Sequence, residues 1–328
     1  MKKIRYGIIG YGGFAERAIA PAIRTSPNSE LVAVQKRSLA AAREKAQACG
    51  IPLAFDRPED LARHGDVDAV FIASSNSRHL SDVLCAAAAR KHVLVEKPIA
   101  MNADEARRMI AACAEQRVKL MVGHMVRLSP AIEWIKSFIK AGSIGTVYHI
   151  KTEYIYDARF SKRAWLFNRE TAGGGPFFDV GVHCLDTMRF ILDEEVVSVK
   201  GQMSPLPTAE RTEGTAVVAL RFAGGIPGSI YCAFHAPYRR SILEVIGSEG
   251  IVSVENFTQP GITVRVSVTR GDKGSSREPV VEEIVVPDLY EREMTLFSTC
   301  LLEDRDVPVS AEEGLKNQLV LDAAMNGE

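Results

Sequence analysis

The fold is indicated first by the stretch Ile4-Arg5-Tyr6-Gly7-Ile8-Ile9-Gly10-Tyr11-Gly12-Gly13-Phe14-Ala15, in which a mostly apolar segment ends in a glycine-rich turn. The run Ile4–Ile9 predicts a buried β-strand, and the turn fits the pattern G-x-G-x-x-G/A with alanine in the last position. Gly10 would permit the tight turn, Gly12 would let the backbone approach a pyrophosphate, and Ala15 would let a helix pack closely. An ordinary structural turn is the alternative, but the position between a strand and a helical segment favours a dinucleotide site.

Short apolar runs alternate with helical segments in this first part of the chain, which predicts a doubly wound parallel sheet of the Rossmann type. A helix over Asp104–Glu115, capped by Asn102, is one of the predicted crossovers. The predicted strands are Ile4–Ile9, Leu31–Val34, Ala69–Ala73, Val93–Val95 and Lys119–Val122.

The predicted secondary structure changes after a helix at about Pro130–Ala141. From there on, β-rich runs are separated by Gly, Pro, Asp and Asn. They predict a C-terminal α/β domain on a large, mostly antiparallel open sheet. We expect a nucleotide-binding domain at 1–123 and a substrate-binding and oligomerisation domain at 124–328. The predicted strands are Val147–Tyr156, Val196–Met203, Thr215–Phe222, Ser229–Phe234, Ser241–Ile246, Ile251–Val254, Ile262–Val268 and Val280–Val286, and the helices are Pro176–Leu192, Leu289–Glu303 and Ala311–Ala324.

The end of the second strand indicates the cofactor variant. NAD-binding domains usually place an acid there for the ribose hydroxyls, but this chain has Lys36, Arg37 and Ser38. Two cations and a hydroxyl suit a 2′-phosphate, so NADP(H) is favoured and NAD(H) stays possible. The alternative is that these residues are solvated charges at the start of a helix.

Glu96-Lys97-Pro98 follows the apolar run Val93–Val95 and so lies at the carboxyl end of a predicted strand. In parallel sheets, ligands bind outside the carboxyl ends of the strands. Lys97 is therefore a candidate catalytic residue rather than a surface charge. His79, which follows the third predicted strand, is expected to line the nicotinamide end of the cleft. The residues expected to contact the cofactor are Gly10, Gly12, Gly13, Phe14, Ala15, Lys36, Arg37, Ser38, Ser74, Ser75, Asn76, His79, Glu96 and Lys97.

Asp179 and His183 lie four residues apart on one face of a predicted helix that follows Gly173-Gly174-Gly175. A surface pair, half of a metal site and a catalytic pair are three interpretations. Apolar neighbours argue against the first, and the absence of an H-E-x-x-H or Cys/His set argues against the second. A carboxylate beside an imidazole can raise its basicity and orient it for proton transfer.

A stretch with basic and aromatic residues precedes these glycines. It has two equally favoured interpretations, a loop that binds a sugar or a carboxylated substrate and a solvated surface loop. Trp165 is its candidate substrate contact. The other members are Arg159, Lys162, Arg163 and Arg169.

Composition excludes several classes of protein. The 40 Lys+Arg residues against 41 Asp+Glu give a formal charge of −1 with no basic block, so we expect no nucleic-acid partner. No apolar stretch reaches the roughly 18 residues of a membrane helix. The six cysteines are scattered without C-x-x-C spacing, so neither a disulfide framework nor a metal site is expected, and the cytoplasm is the expected compartment.

Four segments occur in a specific order along the chain: Gly7–Gly12, Ser74–His79 with Lys91–Pro98, Gly123-His124-Met125-Val126-Arg127 and Gly173–His183. Through them the chain resembles the Gfo/Idh/MocA oxidoreductases over essentially its whole length. The resemblance implies a Rossmann domain, an open-sheet domain often used for homodimer or homotetramer contacts, and reversible oxidation of a sugar or polyol hydroxyl. It also implies that Lys97, Asp179 and His183 form the catalytic set.

Within that resemblance Met125, Arg127 and Trp165 are expected near the substrate, although family members often have Asn at the position of Met125. Because it has histidine at position 183, the chain is similar to the inositol dehydrogenase and anhydrofructose reductase branches of the family. Other branches have Tyr at this position. We expect an NAD(P)-dependent oxidoreductase with no metal, in which His183 transfers the proton and Lys97 polarises the reacting oxygen. A non-catalytic nucleotide-binding regulator and a cofactor-retaining aldose–aldose oxidoreductase are the alternatives.

Overall fold

Two β-sheets organise the chain. A computed structural model describes residues 2–161, 163–272 and 274–326, and the side chains of Asp272 and Ser276 are outside the description. The residues divide into two units: unit 1 is Met1–Gly123 with Tyr290–Gln318, and unit 2 is His124–Leu289 with Leu319–Glu328.

The sheet of unit 1 contains the strands β1 (Ile4–Ile9), β2 (Ser29–Gln35), β3 (Leu53–Phe55), β4 (Ala69–Ile72), β5 (His92–Glu96) and β6 (Leu120–Gly123). They are parallel and lie in the order β3-β2-β1-β4-β5-β6. The direction of the strand order reverses between β1 and β4, which makes this the topological switch point where ligands bind in such folds. The predicted doubly wound sheet is confirmed, and β3, too short to show a period, was not predicted.

Helices cover both faces of this sheet. Ile8 and Ile9 are adjacent in sequence and belong to separate buried apolar clusters, because successive strand residues point to opposite faces. The helices are α1 (Ala20–Thr25), preceded by a π-helical turn at Ala15–Ile19, α2 (Leu39–Cys49), α3 (Pro58–Arg63), α4 (Asn76–Ala88) and α5 (Ala103–Glu115). Asn102 caps α5 as predicted, since its side chain accepts a hydrogen bond from the Glu105 N–H at 2.9 Å.

The sheet of unit 2 contains the strands β7 (Val147–Asp157), β8 (Val196–Ser204), β9 (Thr215–Phe222), β10 (Pro227–Ala233), β11 (His235–Gly247), β12 (Gly250–Glu255), β13 (Ile262–Asp272), β14 (Ser275–Ser276) and β15 (Val280–Val286). Their order is β14-β13-β12-β11-β7-β10-β9-β8, with β15 also paired to β13. Within the described residues β7 and β10 pair in parallel and the other pairs are antiparallel, as the sequence predicted for most of the sheet.

Unit 2 also contains the helices α6 (Pro130–Lys140), α7 (Arg169–Ala172) and α8 (Val182–Leu192). A π-helical turn at Phe177–Gly181 runs directly into α8, so the predicted helix is continuous but not uniformly α-helical. Burial alternates along β9, where Val218 and Leu220 are buried while Val217 is exposed. One face of this strand is thus covered and the other open.

The last two helices, α9 (Leu289–Leu302) and α10 (Ala311–Asn326), were predicted as part of a domain spanning 124–328. Unit 1 contains all of α9 except Leu289 and the part of α10 up to Gln318, whereas the rest of α10 belongs to unit 2. Met294 and Phe297 of α9 lie in the same apolar cluster as Tyr6 and Ile8, and the hydroxyls of Tyr6 and Ser298 are 2.7 Å apart. Helical periodicity identifies a buried face, but it does not identify the sheet on which that face packs. Among the described residues, no helix is both long and apolar enough to cross a membrane.

Candidate active site

The glycine turn after β1 lies at the switch point of the parallel sheet. Gly10 has a φ of +81°, and a Cβ built on it would lie 2.5 Å from the backbone nitrogen of Ser74. Its N–H donates to the side-chain Oε1 of Gln35 at 3.0 Å, and the Tyr11 N–H donates to the Gln35 backbone carbonyl at 2.8 Å. Both the backbone conformation and the close approach of the chain that follows β4 therefore require glycine at position 10.

Gly12 has a different reason to be glycine. A Cβ built there would have the Gly10 carbonyl oxygen, at 3.8 Å, as its nearest neighbour, so nothing in unit 1 crowds it. A Cβ on Gly13 would instead lie 2.9 Å from Nη1 of Arg17, which brings a guanidinium to the turn. Open space over an exposed backbone next to a cation fits a phosphate group.

The two residues that end the predicted motif pack inward. Ala15 is 1 % exposed, and the Phe14 ring meets the ring edge of Tyr290 on α9 with centroids 5.6 Å apart. Helix α9 therefore packs against the glycine turn, a contact that the sequence did not indicate.

The basic residues after β2 differ in how far they are engaged. The Lys36 ammonium donates to the Tyr11 carbonyl at 2.7 Å and lies 5.9 Å from the Tyr11 ring centroid. Ser38 caps α2, since its hydroxyl accepts a hydrogen bond from the Ala41 N–H at 3.4 Å. Arg37 is exposed. Of the three, Arg37 is the residue whose charge is directed to solvent and Lys36 the one that is tied to the glycine turn.

Ser74, Ser75 and Asn76 form the junction between β4 and α4. The Ser74 hydroxyl donates to Asp82 Oδ2 at 2.7 Å, and the Ser75 hydroxyl lies 3.4 Å from that of Ser77. Asn76, the first residue of α4, is only 4 % exposed.

The His79 side chain is fully buried, so it does not line a cleft as the sequence had suggested. Its Nδ1 lies 3.0 Å from the Pro98 carbonyl and 3.3 Å from the Ile99 carbonyl, while Nε2 lies 3.3 Å from the Ser74 carbonyl. Burial lowers the pKa of His79 to about 4, against the opposing effect of these backbone contacts. His79 thus joins the chain after β4 to the chain after β5 as a neutral imidazole.

Glu96 and Lys97 stand at the carboxyl end of β5. Glu96 Oε2 accepts a hydrogen bond from the Lys97 N–H at 3.2 Å, and the Lys97–Pro98 peptide is cis. Both side chains are half-buried. Unit 1 therefore brings together Gly10, Ser74, Glu96 and Lys97 at one edge of its sheet, as predicted from the strand ends.

Asp179 and His183 belong to unit 2, where the π-helical turn meets α8. Asp179 is 6 % exposed and accepts hydrogen bonds from the Tyr156 hydroxyl at 2.5 Å and from Arg163 at 3.3 Å and 3.4 Å. Arg163 also donates to the Tyr156 oxygen at 3.1 Å. A tyrosine and an arginine thus hold the Asp179 carboxylate.

This Tyr156–Asp179–Arg163 network was not predicted as a unit, although Arg163 had been noted in the basic loop. Burial, and next the Asp179 charge, raise the pKa of Tyr156 well above its usual range, and the Asp179 charge raises the pKa of Arg163. The phenol therefore stays protonated and the guanidinium charged, and both stabilise ionised Asp179.

His183 is 7 % exposed, and its ring centroid lies 6.3 Å from that of Tyr154. Tyr154 accepts a hydrogen bond from Arg239, whose guanidinium lies 5.3 Å from the Tyr154 ring centroid. Tyr154 and Tyr156 alternate along β7 and so share a face of the sheet, which is the signal in the sequence that could have placed aromatic residues beside this helix.

The structure places the three expected substrate contacts in different surroundings. Met125 is 4 % exposed, and Arg127 forms a bidentate ion pair with buried Asp186, both N–O distances being 2.8 Å. We therefore assign Arg127 a structural role, because its guanidinium already forms two hydrogen bonds to the Asp186 carboxylate. Trp165 is half-buried against a small apolar cluster that contains Leu166. Lys162 of the same loop lies outside the described residues.

Within the described part of the chain, no cluster of three or more His, Cys, Asp or Glu side chains is arranged to hold a metal ion. The two units instead present a nucleotide turn with a lysine and a buried carboxylate with an imidazole. These features define a nicotinamide-dependent oxidoreductase class.

The chain belongs to the Gfo/Idh/MocA family. Residues 4–124 match the oxidoreductase family with an NAD-binding Rossmann fold, and residues 132–253 match the GFO/IDH/MocA C-terminal domain. The predicted family and the nicotinamide cofactor are thereby confirmed.

Relatives with named activities match nearly the whole chain. The 1,5-anhydro-D-fructose reductase of Ensifer adhaerens is 29% identical over 95% of this chain and 92% of its own length. The NADP(+) D-xylose 1-dehydrogenase of Haloarcula marismortui is 28% identical over 95% of this chain and 87% of its own. The structure of the aldose-aldose oxidoreductase from Caulobacter crescentus, complexed with glycerol, is similar with a TM-score of 0.86 at 26% identity, covering 99% and 97% of the two chains.

Proposed function

We propose that this chain is an NADP(H)-preferring oxidoreductase that interconverts a hydroxyl and a carbonyl group on a sugar or polyol. The observation that carries the proposal is the buried Asp179 carboxylate, held by Tyr156 and Arg163 and followed one turn later by His183. A structural ion pair does not require an imidazole one turn after the carboxylate, whereas a site that transfers a proton does require such a group.

Unit 1 supplies the residues that would hold the cofactor, consistent with a nucleotide-binding domain centred on 1–123. The backbone at Gly10 and Gly12 is shaped for a pyrophosphate, and Arg17 adds positive charge beside it. When bound, nicotinamide accepts or supplies the hydride. The chain's own residues have to position the reacting carbon and move a proton.

His183 is assigned the proton. During oxidation it accepts the hydroxyl proton, and during reduction it returns a proton to the carbonyl oxygen. Asp179 orients the imidazole or a substrate hydroxyl. Lys97 brings a positive charge to the oxygen on which negative charge develops, which lowers the energy of the transition state.

The preference for NADP(H) rests on Arg37 and Lys36 at the end of β2, where an acid would suit NAD. The NADP(+) specificity in the name of the xylose dehydrogenase relative agrees with this preference. Arg37 is the principal candidate for the 2′-phosphate, because the ammonium of Lys36 already has the Tyr11 carbonyl as a partner.

The substrate class follows from relatives that act on anhydrofructose, xylose and aldoses. The direct test offers the purified protein a panel of aldoses, ketoses, anhydro-sugars, polyols and dicarbonyl compounds. Absorbance of the reduced nicotinamide is followed with NADP(H) and NAD(H) in parallel. Turnover confined to carbonyl compounds unrelated to sugars would contradict the proposed substrate class.

The open face of the unit 2 sheet is proposed to contact a second copy of the chain in a homodimer or homotetramer. Val217 of β9 and Tyr231 of β10 are directly opposite in register and are 49% and 40% exposed. Large contiguous patches of exposed apolar side chains mark interaction sites, and we propose that these two adjacent residues belong to such a patch. Val217→Lys should lower the molar mass found by light scattering, and an unchanged mass would argue against this face.

A tightly retained nucleotide is the second candidate mode of action, favoured by the similarity to the aldose-aldose oxidoreductase. Mass spectrometry of the nucleotide released on denaturation distinguishes retention from free exchange. All six cysteines are free thiols, which fits the cytoplasm as the proposed compartment.

A further inference from the structure

The buried segment Thr212-Glu213-Gly214 of unit 2 lies just before β9 and has no part in the proposed proton transfer. Glu213 is 1 % exposed, and its Oε1 accepts a hydrogen bond from the Phe177 N–H at 3.3 Å. Phe177 is the first residue of the π-helical turn that carries Asp179. The carboxyl group of Glu213 thus lies at the start of a helical stretch, where backbone N–H groups have no acceptor within the helix.

A glycine at position 175 makes this approach possible. A Cβ built on Gly175 would collide with the Glu213 carbonyl oxygen and would lie 3.1 Å from the carboxyl carbon of the same residue. The Gly175 carbonyl in turn accepts a hydrogen bond from the Asp179 N–H at 3.0 Å. Glu213 therefore packs against the backbone that places Asp179, both with its main chain and with its side chain.

Thr212, the residue before Glu213, holds the other half of the Asp179 network. Its hydroxyl donates to the Leu166 carbonyl at 3.0 Å, and its N–H donates to the Phe167 carbonyl at 3.3 Å. Both carbonyls belong to the short 3-10 turn that directly follows Arg163. Two adjacent residues therefore fix the two chain segments whose side chains, Arg163 and Asp179, form an ion pair at 3.3 Å.

Glu213 is costly as a purely structural residue. Its Oε2 is buried and has no hydrogen-bond partner among the residues that the structure describes. Burial raises the pKa of Glu213, whereas the backbone N–H groups of Gly175, Glu213 and Phe177 act in the opposite direction. A buried carboxyl group with one unmatched oxygen costs free energy that an apolar side chain would not. We therefore expect its contribution to be the placement of the helical stretch.

We propose that Glu213 is a positioning residue for the Asp179–His183 pair: its carboxyl group accepts the Phe177 N–H and so fixes the first turn of the helical stretch that carries both side chains. Glu213 acts through the backbone and takes no part in the chemistry itself. The inference rests on the proposed function for its effect on turnover, whereas the hydrogen bond to Phe177 does not depend on activity.

Two variants of Glu213 test the inference through turnover. Glu213→Met keeps the approximate length of the side chain and removes the acceptor. We expect kcat per folded protein to fall roughly ten- to a hundredfold, the cost of misplacing catalytic groups by about an ångström. The affinity for NADPH should stay at the wild-type value, because the residues proposed to hold the nucleotide belong to unit 1. Glu213→Gln should keep kcat within about threefold of wild type, since the amide oxygen still accepts the Phe177 N–H.

The matched control is Glu210→Met, the same chemical change at an exposed carboxylate of the same loop, and it should leave kcat unchanged. Wild-type kcat in Glu213→Met would overturn the inference. Equal losses of kcat and thermal midpoint in both Glu213 variants would also overturn it, because they would show a packing role only. If Glu213→Met does not fold, Glu213→Gln decides alone, and a large loss of its kcat per folded protein would contradict the inference.

Nuclear magnetic resonance tests the hydrogen bond without activity. Pro176-Phe177 is the only Pro-Phe pair in the sequence, so ¹³C-carbonyl proline combined with ¹⁵N-phenylalanine selects the single amide of Phe177. Its exchange with deuterium should be roughly tenfold faster in Glu213→Met than in wild type, the fold-change that corresponds to one hydrogen bond. In Glu213→Gln the amide should stay protected while its chemical shift moves.

Equal exchange rates of the Phe177 amide in wild type and Glu213→Met would overturn the inference even in an active enzyme. Loss of protection in Glu213→Gln would do the same, because this variant retains an acceptor. A wild-type protein in which Glu213 protects the Phe177 amide, but which turns over no sugar with either nicotinamide, would instead count against the proposed function.

Discussion

Gly10 and Ser74 approach so closely that a Cβ on Gly10 would lie 2.5 Å from the Ser74 backbone nitrogen. Gly12, two residues further on, has no comparable neighbour, because its nearest atom would be a carbonyl oxygen at 3.8 Å. The same Gly→Ala change should therefore have different consequences at the two positions.

Gly10→Ala should destabilise the fold by about 1–3 kcal/mol from overpacking, with a further cost for its positive φ. Gly12→Ala should unfold like wild type but bind the cofactor more weakly, because its methyl group occupies the space left for the phosphates. Denaturant titration and NADPH fluorescence titration measure the two effects. Equal stability losses in both variants would show that Gly12 is also a packing residue.

His79 should make the stability of the fold depend on pH. Its pKa is lowered to about 4 from 6.5, so between these values the unfolded chain binds a proton that the folded chain does not. The free energy of unfolding should therefore fall as the pH drops through this window, by an amount on the order of 3 kcal/mol from this residue. The measurement is urea unfolding at a series of pH values.

His79→Asn should lose this contribution, and the difference between variant and wild type should shrink as the pH falls from 6.5 towards 4. His235→Asn, at an exposed position, is the matched control and should follow wild type. A parallel pH dependence in wild type and His79→Asn would exclude His79 as the titrating group.

Tyr156→Phe should lower kcat without loss of fold, because the ring stays and only the hydroxyl that donates to Asp179 is removed. A hydrogen bond to a charged group is worth about 1.5–3 kcal/mol, so roughly a ten- to hundredfold loss is expected. Tyr148→Phe, on an exposed tyrosine of the same strand, should have wild-type kinetics. Steady-state kinetics of a Tyr156→Phe variant indistinguishable from wild type would remove the network from the catalytic site.

Arg37→Ala should weaken NADP(H) binding by roughly ten- to a hundredfold and leave NAD(H) binding nearly unchanged, because only the former has a 2′-phosphate. Arg37 is a cleaner target than Lys36, whose removal would also free the Tyr11 carbonyl. Equal effects on the two nucleotides, measured by fluorescence titration, would argue that Arg37 is an ordinary surface charge.

Much of the fold could be predicted from local pattern. Strands such as Ala69–Ile72 are continuous apolar runs, and the helix over Ala103–Glu115 shows both its cap and its apolar stripe. Strand β3 is only 3 residues long, so it leaves no periodic signal. Periodicity also indicates that α9 has a buried face, but not that this face belongs to the apolar core of unit 1.

The site was predictable to a lesser degree, because its contacts join residues distant in sequence. Tyr156 reaches Asp179 across 23 residues, and Arg127 reaches Asp186 across 59. A motif can identify Asp179 or Arg127 as charged residues near the chemistry. It cannot show that one is held by a phenol and a guanidinium while the other is buried in an ion pair.

Transfer of deuterium from nicotinamide to product tests the central proposal most directly. NADPH deuterated at C4 is incubated with the best sugar carbonyl of the panel, and the product is analysed by mass spectrometry for wild type, Lys97→Met and His183→Asn. We expect deuterium on the carbinol carbon with wild type. Both variants should bind NADPH and transfer deuterium about 10²- to 10⁴-fold more slowly. Undiminished transfer in both variants, or NADPH binding by wild type without deuterium in any product, would contradict the proposed mechanism.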